Sequence, residues 1–159
     1  MKCELNPRLS SGDWKEFCSR FHFPLEELPN IQAIYKALLP LMESYAYYSL
    51  NQDLKEVSFS HYAYGFVTLG NGMDELSELY LNHEQIQEAY IVDCISLMLL
   101  LKAYEEFAHV VEEQSGLYLT ELSFLGDTYS LDLLPQIYEQ LAPDTIQFTE
   151  GQMLRPLKT

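Results

Sequence analysis

Apolar side chains cover most of one predicted helix in the middle of the chain. Most positions between residues 90 and 101 are apolar, and apolar residues on nearly all sides are typical of a helix covered by other elements. Asn82 is suited to cap the start of this helix, and Gly116 is suited to end it. The pattern therefore predicts one long buried helix over residues 84–113.

Two shorter helices are predicted ahead of it. The polar cluster at residues 10–13 offers an N-terminal cap for a helix that ends near His22. Pro29 opens a second helix, and Pro40 lies inside its apolar pattern, where a proline kinks or breaks a helix. The pattern allows this second helix to continue over residues 43–50.

The clearest strand follows at residues 57–69, which are rich in aromatic and β-branched side chains and contain no proline. Gly65 within it marks either a bulge or a close approach of two backbones. Residues 70–72 form a turn, and Asp74 is placed to cap a helix over residues 75–81.

Strand and helix signals alternate in the last third of the chain. Residues 117–124 predict a second strand, and the turn at residues 126–128 leads to a helix that ends near Leu141. Residues 146–149 predict a third strand, and residues 153–157 form a fourth strand or a tail. Because helices separate the strands, we expect an α+β fold, with all 159 residues in one domain and helices packed on an antiparallel or mixed sheet.

Charge narrows the range of partners. The chain has 24 Asp and Glu against nine Lys and Arg, for a net charge of −15. Proteins bind nucleic acids by displacing counterions with Lys and Arg, so we expect neither a nucleic acid nor an anionic membrane as partner. The acidity serves solubility alone, or it attracts a basic protein.

The cysteines and the apolar segments indicate a cytoplasmic protein. Cys3, Cys18 and Cys94 show no CxxC spacing, and no secretory signal precedes them, which fits a reducing compartment. The most apolar stretch, residues 89–101, is much shorter than the roughly 20 residues that a bilayer requires. The sequence therefore predicts no transmembrane segment.

Individual polar residues leave several alternatives open. Asp93 interrupts the apolar helix and must be paired, exposed or turned toward a ligand. His61 either lines a pocket or makes a hydrogen bond within the sheet, and the twelve tyrosines either pack in the core or line an aromatic groove. No histidine pair has zinc-ligand spacing, and no serine lies in a nucleophile-elbow sequence. The sequence thus contains no catalytic motif of its own.

Four short motifs then occur in order along residues 67–159. They are Val67-Thr68-Leu69-Gly70 before an acidic helix, Ala89-Tyr90-Ile91-Val92-Asp93, Gly126-Asp127-Thr128-Tyr129-Ser130-Leu131-Asp132, and Phe148-Thr149-Glu150 followed by Met153 and Pro156. In order and spacing they resemble the reactivation domain of vitamin B12-dependent methionine synthase and its small stand-alone relatives.

The resemblance implies a C-shaped α+β fold with a bent antiparallel sheet. Members of that family bind S-adenosylmethionine and present it to the cobalamin of a neighbouring domain, so the protein positions cofactors that supply the chemistry. For this chain it implies an accessory role in methionine biosynthesis, with a corrinoid protein as partner and cobalamin held only by that partner. It places a ligand groove near Asp93, Glu121, Ser123, Tyr129 and Glu150.

Two departures from the family pattern bear on the ligand. Glu121 stands where relatives carry an Arg, and Phe124-Leu125-Gly126 replaces their Pro-Gly-Tyr. Replacing a cation that binds the ligand carboxylate by Glu reverses the sign of a charge-assisted contact. Two further functions therefore stay open beside corrinoid docking. One is an interaction or structural domain that has lost the ligand, and the other is an enzyme with a new site among the tyrosines.

Overall fold

The computed structural model of the protein describes residues 1–50 and 61–159, so the first part of the predicted strand 57–69 lies outside the described residues. The elements are β1 (Lys2–Glu4), α1 (Asp13–Phe21), α2 (Leu28–Leu38), β2 (Tyr45–Leu50), β3 (Ala63–Thr68), α3 (Gly72–Asn82), α4 (Ile86–Ser115), α5 (Leu134–Leu141), β4 (Gln147–Phe148) and β5 (Leu154–Arg155). Helices and small antiparallel sheets make an α+β fold, as the sequence predicts.

The larger sheet is antiparallel, with the order β1-β2-β3. The pairing of β2 with β3 is unbroken and places Tyr48 opposite Gly65, so Gly65 marks no bulge. A Cβ at Gly65 would lie only 2.4 Å from the carbonyl oxygen of Tyr47. This glycine therefore permits the second alternative, a close approach of two backbones.

The two faces of this sheet lie against different apolar clusters, because side chains alternate along a strand. Ala46 and Tyr48 belong to the larger cluster, which also contains buried residues of α1, α2, α3 and α4. Tyr47 and Phe66 belong to a smaller cluster with Ile137 of α5. The central strand β2 thus separates two parts of the core.

The long buried helix is confirmed as α4. Ile91, Ile95 and Leu99 in its apolar middle have no exposed surface. Full burial of one such side chain stabilises the fold by roughly 1.5–3 kcal/mol. No helix among the described residues combines the length and the apolar character needed to cross a membrane.

The boundaries of α4 differ slightly from the prediction. The helix begins two residues later, because Glu84 has a φ of 59° and cannot belong to a right-handed helix. Asn82, predicted as its cap, is instead the last residue of α3. Gly116 ends α4 in the left-handed conformation, with φ of 69°, as predicted.

The continuation of the second helix over residues 43–50 is wrong. α2 ends before a 3-10 turn that contains Pro40, and Met42 is then extended, with φ −79° and ψ 126°. Residues Tyr45–Leu50 form β2, the central strand. The backbone groups of this segment bond to strands distant in the sequence, and that pairing outweighs the local helical spacing.

The predicted strand over residues 117–124 is also wrong. These residues form no ladder, and a single isolated bridge among the described residues joins Leu125 to Tyr129 just beyond them. Two backbone N–H groups of the segment bond instead to side chains at the end of α4: Leu117 to Ser115, and Leu119 to Glu112. The apolar alternation therefore belongs to an extended segment outside the sheet.

The remaining C-terminal elements agree with the sequence. α5 ends at Leu141, and β4 and β5 pair as an antiparallel hairpin in the place of the third and fourth predicted strands. The turn before α5 is capped by Ser130, whose hydroxyl accepts a hydrogen bond from the backbone N–H of Asp132 at 3.1 Å.

The C-terminal tail packs against β3, α3 and α4. The N–H of Leu69 donates to the carbonyl of Lys158 at 3.1 Å, and the N–H of Leu157 donates to Asp74 Oδ2 at 2.9 Å. Asp74 was expected to cap α3 but anchors the tail, since α3 begins at Gly72 without a side-chain cap.

A polar cluster joins the first strand to the loop before β4. Lys2 Nζ lies 2.9 Å from Asp144 Oδ1 and 4.3 Å from the centre of the Tyr45 ring. The Tyr47 hydroxyl donates to the same carboxylate and lies 2.7 Å from Thr145 Oγ1. The hydrogen bond from Tyr47, followed by the one from Lys2, lowers the pKa of Asp144.

This cluster predicts an acid-sensitive contribution to stability. A carboxyl whose folded pKa is lowered stabilises the fold above its unfolded pKa of about 3.9, and that stability is lost as the pH falls through the folded value. Asp144→Asn is therefore expected to melt below the parent at pH 7, and the gap should begin to narrow below about pH 4 and close once the pH lies below the lowered folded pKa. Thermal melts across pH test this; a gap that persists at the lowest pH would contradict it.

Candidate functional site

A groove of about 470 Å³ lies between β3, the second half of α4 and the segment 117–125. We call this segment the strap. Most residues that line the groove are apolar or aromatic: Leu50, Tyr62, Tyr64, Phe66, Tyr104, Phe107, Ala108, Val111, Leu117, Leu119, Leu122, Phe124, Leu125, Tyr129, Leu133, Leu134 and Ile137. Its volume is in the range of sites for small molecules, roughly 300–1,000 Å³.

β3 and the residue before it supply an aromatic wall. The rings of Tyr62 and Tyr64 are stacked, with centroids 6.4 Å apart and an interplanar angle of 27°. The two rings share one side because they are two residues apart in an extended segment. The Tyr64 hydroxyl donates to Gln140 Oε1 on α5 at 2.7 Å, which holds its ring in place.

The strap forms the opposite wall and is attached to α4. The N–H of Leu119 donates to Glu112 Oε1 at 2.8 Å, and the rings of Tyr104 and Phe124 are 5.2 Å apart. Much of the strap's apolar surface nevertheless faces solvent. Tyr118 is 91% exposed and Leu122 is 52% exposed.

Three of the five predicted site residues line this groove: Glu121, Ser123 and Tyr129. The Ser123 hydroxyl donates to Glu121 Oε1 at 2.9 Å. Gly126, with φ of 90°, lets the chain turn directly after the strap, and its N–H donates to the carbonyl of Tyr129 at 2.7 Å. This turn brings residues on both of its sides to one groove.

The other two predicted residues lie outside the groove lining. Asp93 is 62% exposed on α4, and its Oδ1 lies 2.5 Å from Nζ of Lys158 in the C-terminal tail. Of the alternatives for Asp93, the structure therefore shows exposure with a structural ion pair. Glu150 lies in the exposed turn between β4 and β5.

The described residues that line the groove carry a net negative charge. Within the described lining, Glu121 is the single side chain with a full charge at neutral pH when His61 is counted as neutral. His61 does line the groove, as one of its two interpretations proposed. Burial raises the pKa of Tyr104, so this phenol stays uncharged at neutral pH.

The thiols are placed for packing. The three cysteines are free, and burial raises the pKa of Cys3, Cys18 and Cys94. A raised pKa disfavours the thiolate, which is the nucleophile and the metal ligand. Within residues 1–50 and 61–159, no group of three or more His, Cys, Asp and Glu is arranged to hold a metal ion.

Sequence reasoning missed the wall that α4 contributes. Tyr104, Phe107, Ala108 and Val111 lie in the half of α4 that polar residues mark as solvated. Their spacing of three and four residues is nevertheless that of one helical stripe. This spacing could have indicated an apolar stripe on the second half of α4. It does not tell whether such a stripe faces the core or a groove.

Comparison with known proteins identifies no family for this chain. No protein-family model matches it, and no curated protein sequence is significantly similar to it. The resemblance to the methionine synthase reactivation domain therefore depends on the four motifs described above.

Proposed function

We propose that this chain is a noncatalytic, cytoplasmic accessory domain that docks a corrinoid protein over the groove. The observation that carries the proposal is that Glu121, Ser123 and Tyr129, which the resemblance implies lie near the ligand, line one groove. Three free cysteines, consistent with a reducing compartment, support the proposed location.

The shape of the groove supports docking of a partner-held cofactor. A complete cobalamin is far larger than a groove of about 470 Å³, so the partner would keep the cofactor and present one edge of it. The exposed apolar side chains of the strap, including Tyr118 and Leu122, would then meet the partner's surface. Aromatic and apolar residues of this kind are typical anchors in protein interfaces.

S-adenosylmethionine is the small ligand that the resemblance implies. Its amino-acid carboxylate would meet Glu121 where relatives carry an Arg, and two carboxylates repel each other. We therefore expect it to bind weakly or not at all in the family's manner. Corrinoid docking does not depend on this contact.

Two binding measurements test the proposal. The full chain is titrated with S-adenosylmethionine by calorimetry, and it is immobilised and exposed to a purified, cobalamin-loaded corrinoid protein encoded in the same genome. We expect saturable binding of the corrinoid protein and little heat from S-adenosylmethionine. If neither ligand binds, the proposed function is wrong.

A substitution in the strap locates the docking surface. Leu122→Glu is expected to weaken binding of the corrinoid protein at least tenfold, the size of effect of an interface anchor worth more than about 1.4 kcal/mol. Leu79→Glu is the matched control, because Leu79 is also 52% exposed but lies on α3, away from the groove. Equal binding by the two variants would place the interface elsewhere.

A protein-interaction domain without any corrinoid function is the second candidate. The exposed apolar strap favours it, because this surface suits a partner whether or not that partner carries a cofactor. The cobalamin-free form of the same partner separates the two functions. Equal affinity for the loaded and the empty form would favour the second candidate.

A further inference from the structure

We propose that the groove itself binds a small organic cation, with its apolar body between the aromatic walls and its positive charge beside Glu121. This inference rests on the proposed function only for the location of the site. It adds the class of ligand, and its test needs no corrinoid partner.

The charge of the described lining favours a positively charged ligand. Glu121 is negative, and the described part of the lining contains no Lys or Arg. The hydrogen bond from Ser123 orients the carboxylate through Oε1, at 2.9 Å. The chain's net charge of −15 adds a field that attracts cations and repels anions.

The aromatic wall also favours a positively charged ligand. The face of a tyrosine ring is electron-rich and attracts an ammonium group that lies within about 6 Å of its centre. Tyr62 and Tyr64 present two stacked rings on the β3 side of the groove, and Tyr129 lines it from beyond the strap. The tyrosine rings and the Glu121 carboxylate therefore line one groove, in which we expect an organic cation to meet both.

The size of the groove and the polarity of its lining indicate the size and the apolar character of the uncharged part of the ligand. The groove has about 470 Å³ and a mostly apolar lining, which suits one or two fused rings or a short branched chain. A small hydrated metal ion would gain nothing from the apolar walls, because it would keep its water. A ligand that carries a carboxylate at the same point would be repelled by Glu121.

Three probes with one common body test the inference. Binding of 2-naphthylmethylammonium, 2-naphthylmethanol and 2-naphthoate to the full chain is measured by calorimetry at low salt. We expect the cation to bind up to about fivefold more tightly than the alcohol, which corresponds to about 1 kcal/mol, the upper value for an ion pair with an exposed carboxylate such as Glu121. The naphthoate should bind more weakly than the alcohol.

Substitutions at Glu121 assign this preference to one residue. Glu121→Gln should remove the difference between the cation and the alcohol, and Glu121→Arg should make naphthoate the tightest ligand. Glu78→Gln is the matched control, since it removes the same charge from an exposed site on α3 outside the groove. That control should keep the parent's order of affinities.

Two results would overturn the inference. One is equal binding of all three probes, and the other is an unchanged preference in Glu121→Gln. Neither result depends on docking. If the protein binds its corrinoid partner but binds the three probes equally, only the proposed class of ligand is wrong. Conversely, a protein that selects the cation but binds no corrinoid protein refutes only the proposed function.

Discussion

Leu99→Asp is expected to abolish the cooperative thermal unfolding of this protein. Leu99 has no exposed surface in the middle of α4. Removing a buried leucine costs about 2–5 kcal/mol, and a carboxylate buried without a partner costs several kcal/mol more. The sum is comparable with the whole stability of a typical domain, about 5–15 kcal/mol. Thermal melts followed by circular dichroism measure the loss.

Leu97→Asp is the matched control on the same helix. Leu97 is 38% exposed, so a carboxylate there keeps contact with water. We expect a cost of roughly 1 kcal/mol, from the lower helix propensity of Asp and from repulsion by Asp93 four residues earlier. If both variants melt like the parent, α4 is not the centre of the core.

Gly72→Ala is expected to lower the melting temperature by about 6–12 °C, which corresponds to roughly 3 kcal/mol in a domain of this size. Gly72 is the first residue of α3. A Cβ built there would lie 2.1 Å from the carbonyl oxygen of Leu41 and 2.7 Å from its carbonyl carbon. Because these are backbone atoms, the turn before β2 would have to move to make room.

Gly12→Ala provides the comparison. Gly12 has an ordinary φ of −74°, and the nearest atom to an added Cβ is Ser10 Oγ at 3.9 Å. A Gly→Ala change at a compatible position stabilises by roughly 0.4–1 kcal/mol, because the unfolded chain loses freedom. The two substitutions should thus shift the melting temperature in opposite directions. Equal shifts would mean that the contact with Leu41 is not close.

Periodic segments were predicted correctly where their pattern requires burial but no particular partner. The apolar middle of α4 needs only to be covered, and its burial follows from the spacing of its residues. The turn residues Gly116 and Gly126 act through their own backbone conformation, with φ of 69° and 90°. Such local requirements are visible in the sequence because glycine is the residue that meets them.

The two segments whose type of element was predicted wrongly have partners that are far away in the chain. β2 looks like a helix continuation until β1 and β3 provide hydrogen-bonding partners on both sides. The strap looks like a strand, but side chains of α4 accept bonds from its backbone, as Glu112 does from Leu119. Both segments are apolar and short, and short apolar runs do not reveal which element they meet.

Part of the candidate site was predicted from the sequence. The resemblance implied five site residues. Glu121, Ser123 and Tyr129 line one groove, whereas Asp93 and Glu150 do not line it. A short motif identifies residues but does not tell in which direction their side chains point. Asp93 is drawn to Lys158 in the tail at 2.5 Å, a contact across 65 residues that no local pattern indicates.

By itself, the sequence determined the α+β class, the long buried helix, the acidic surface and the polar residues of the strap. Only the tertiary structure decided that β2 is the central strand, that the strap stays outside the sheet, and that Glu121 and several tyrosines line one groove. The physical reason is the range of the interactions. Helix spacing and backbone conformation are set by near neighbours, whereas a groove forms where segments that are distant in the sequence lie side by side.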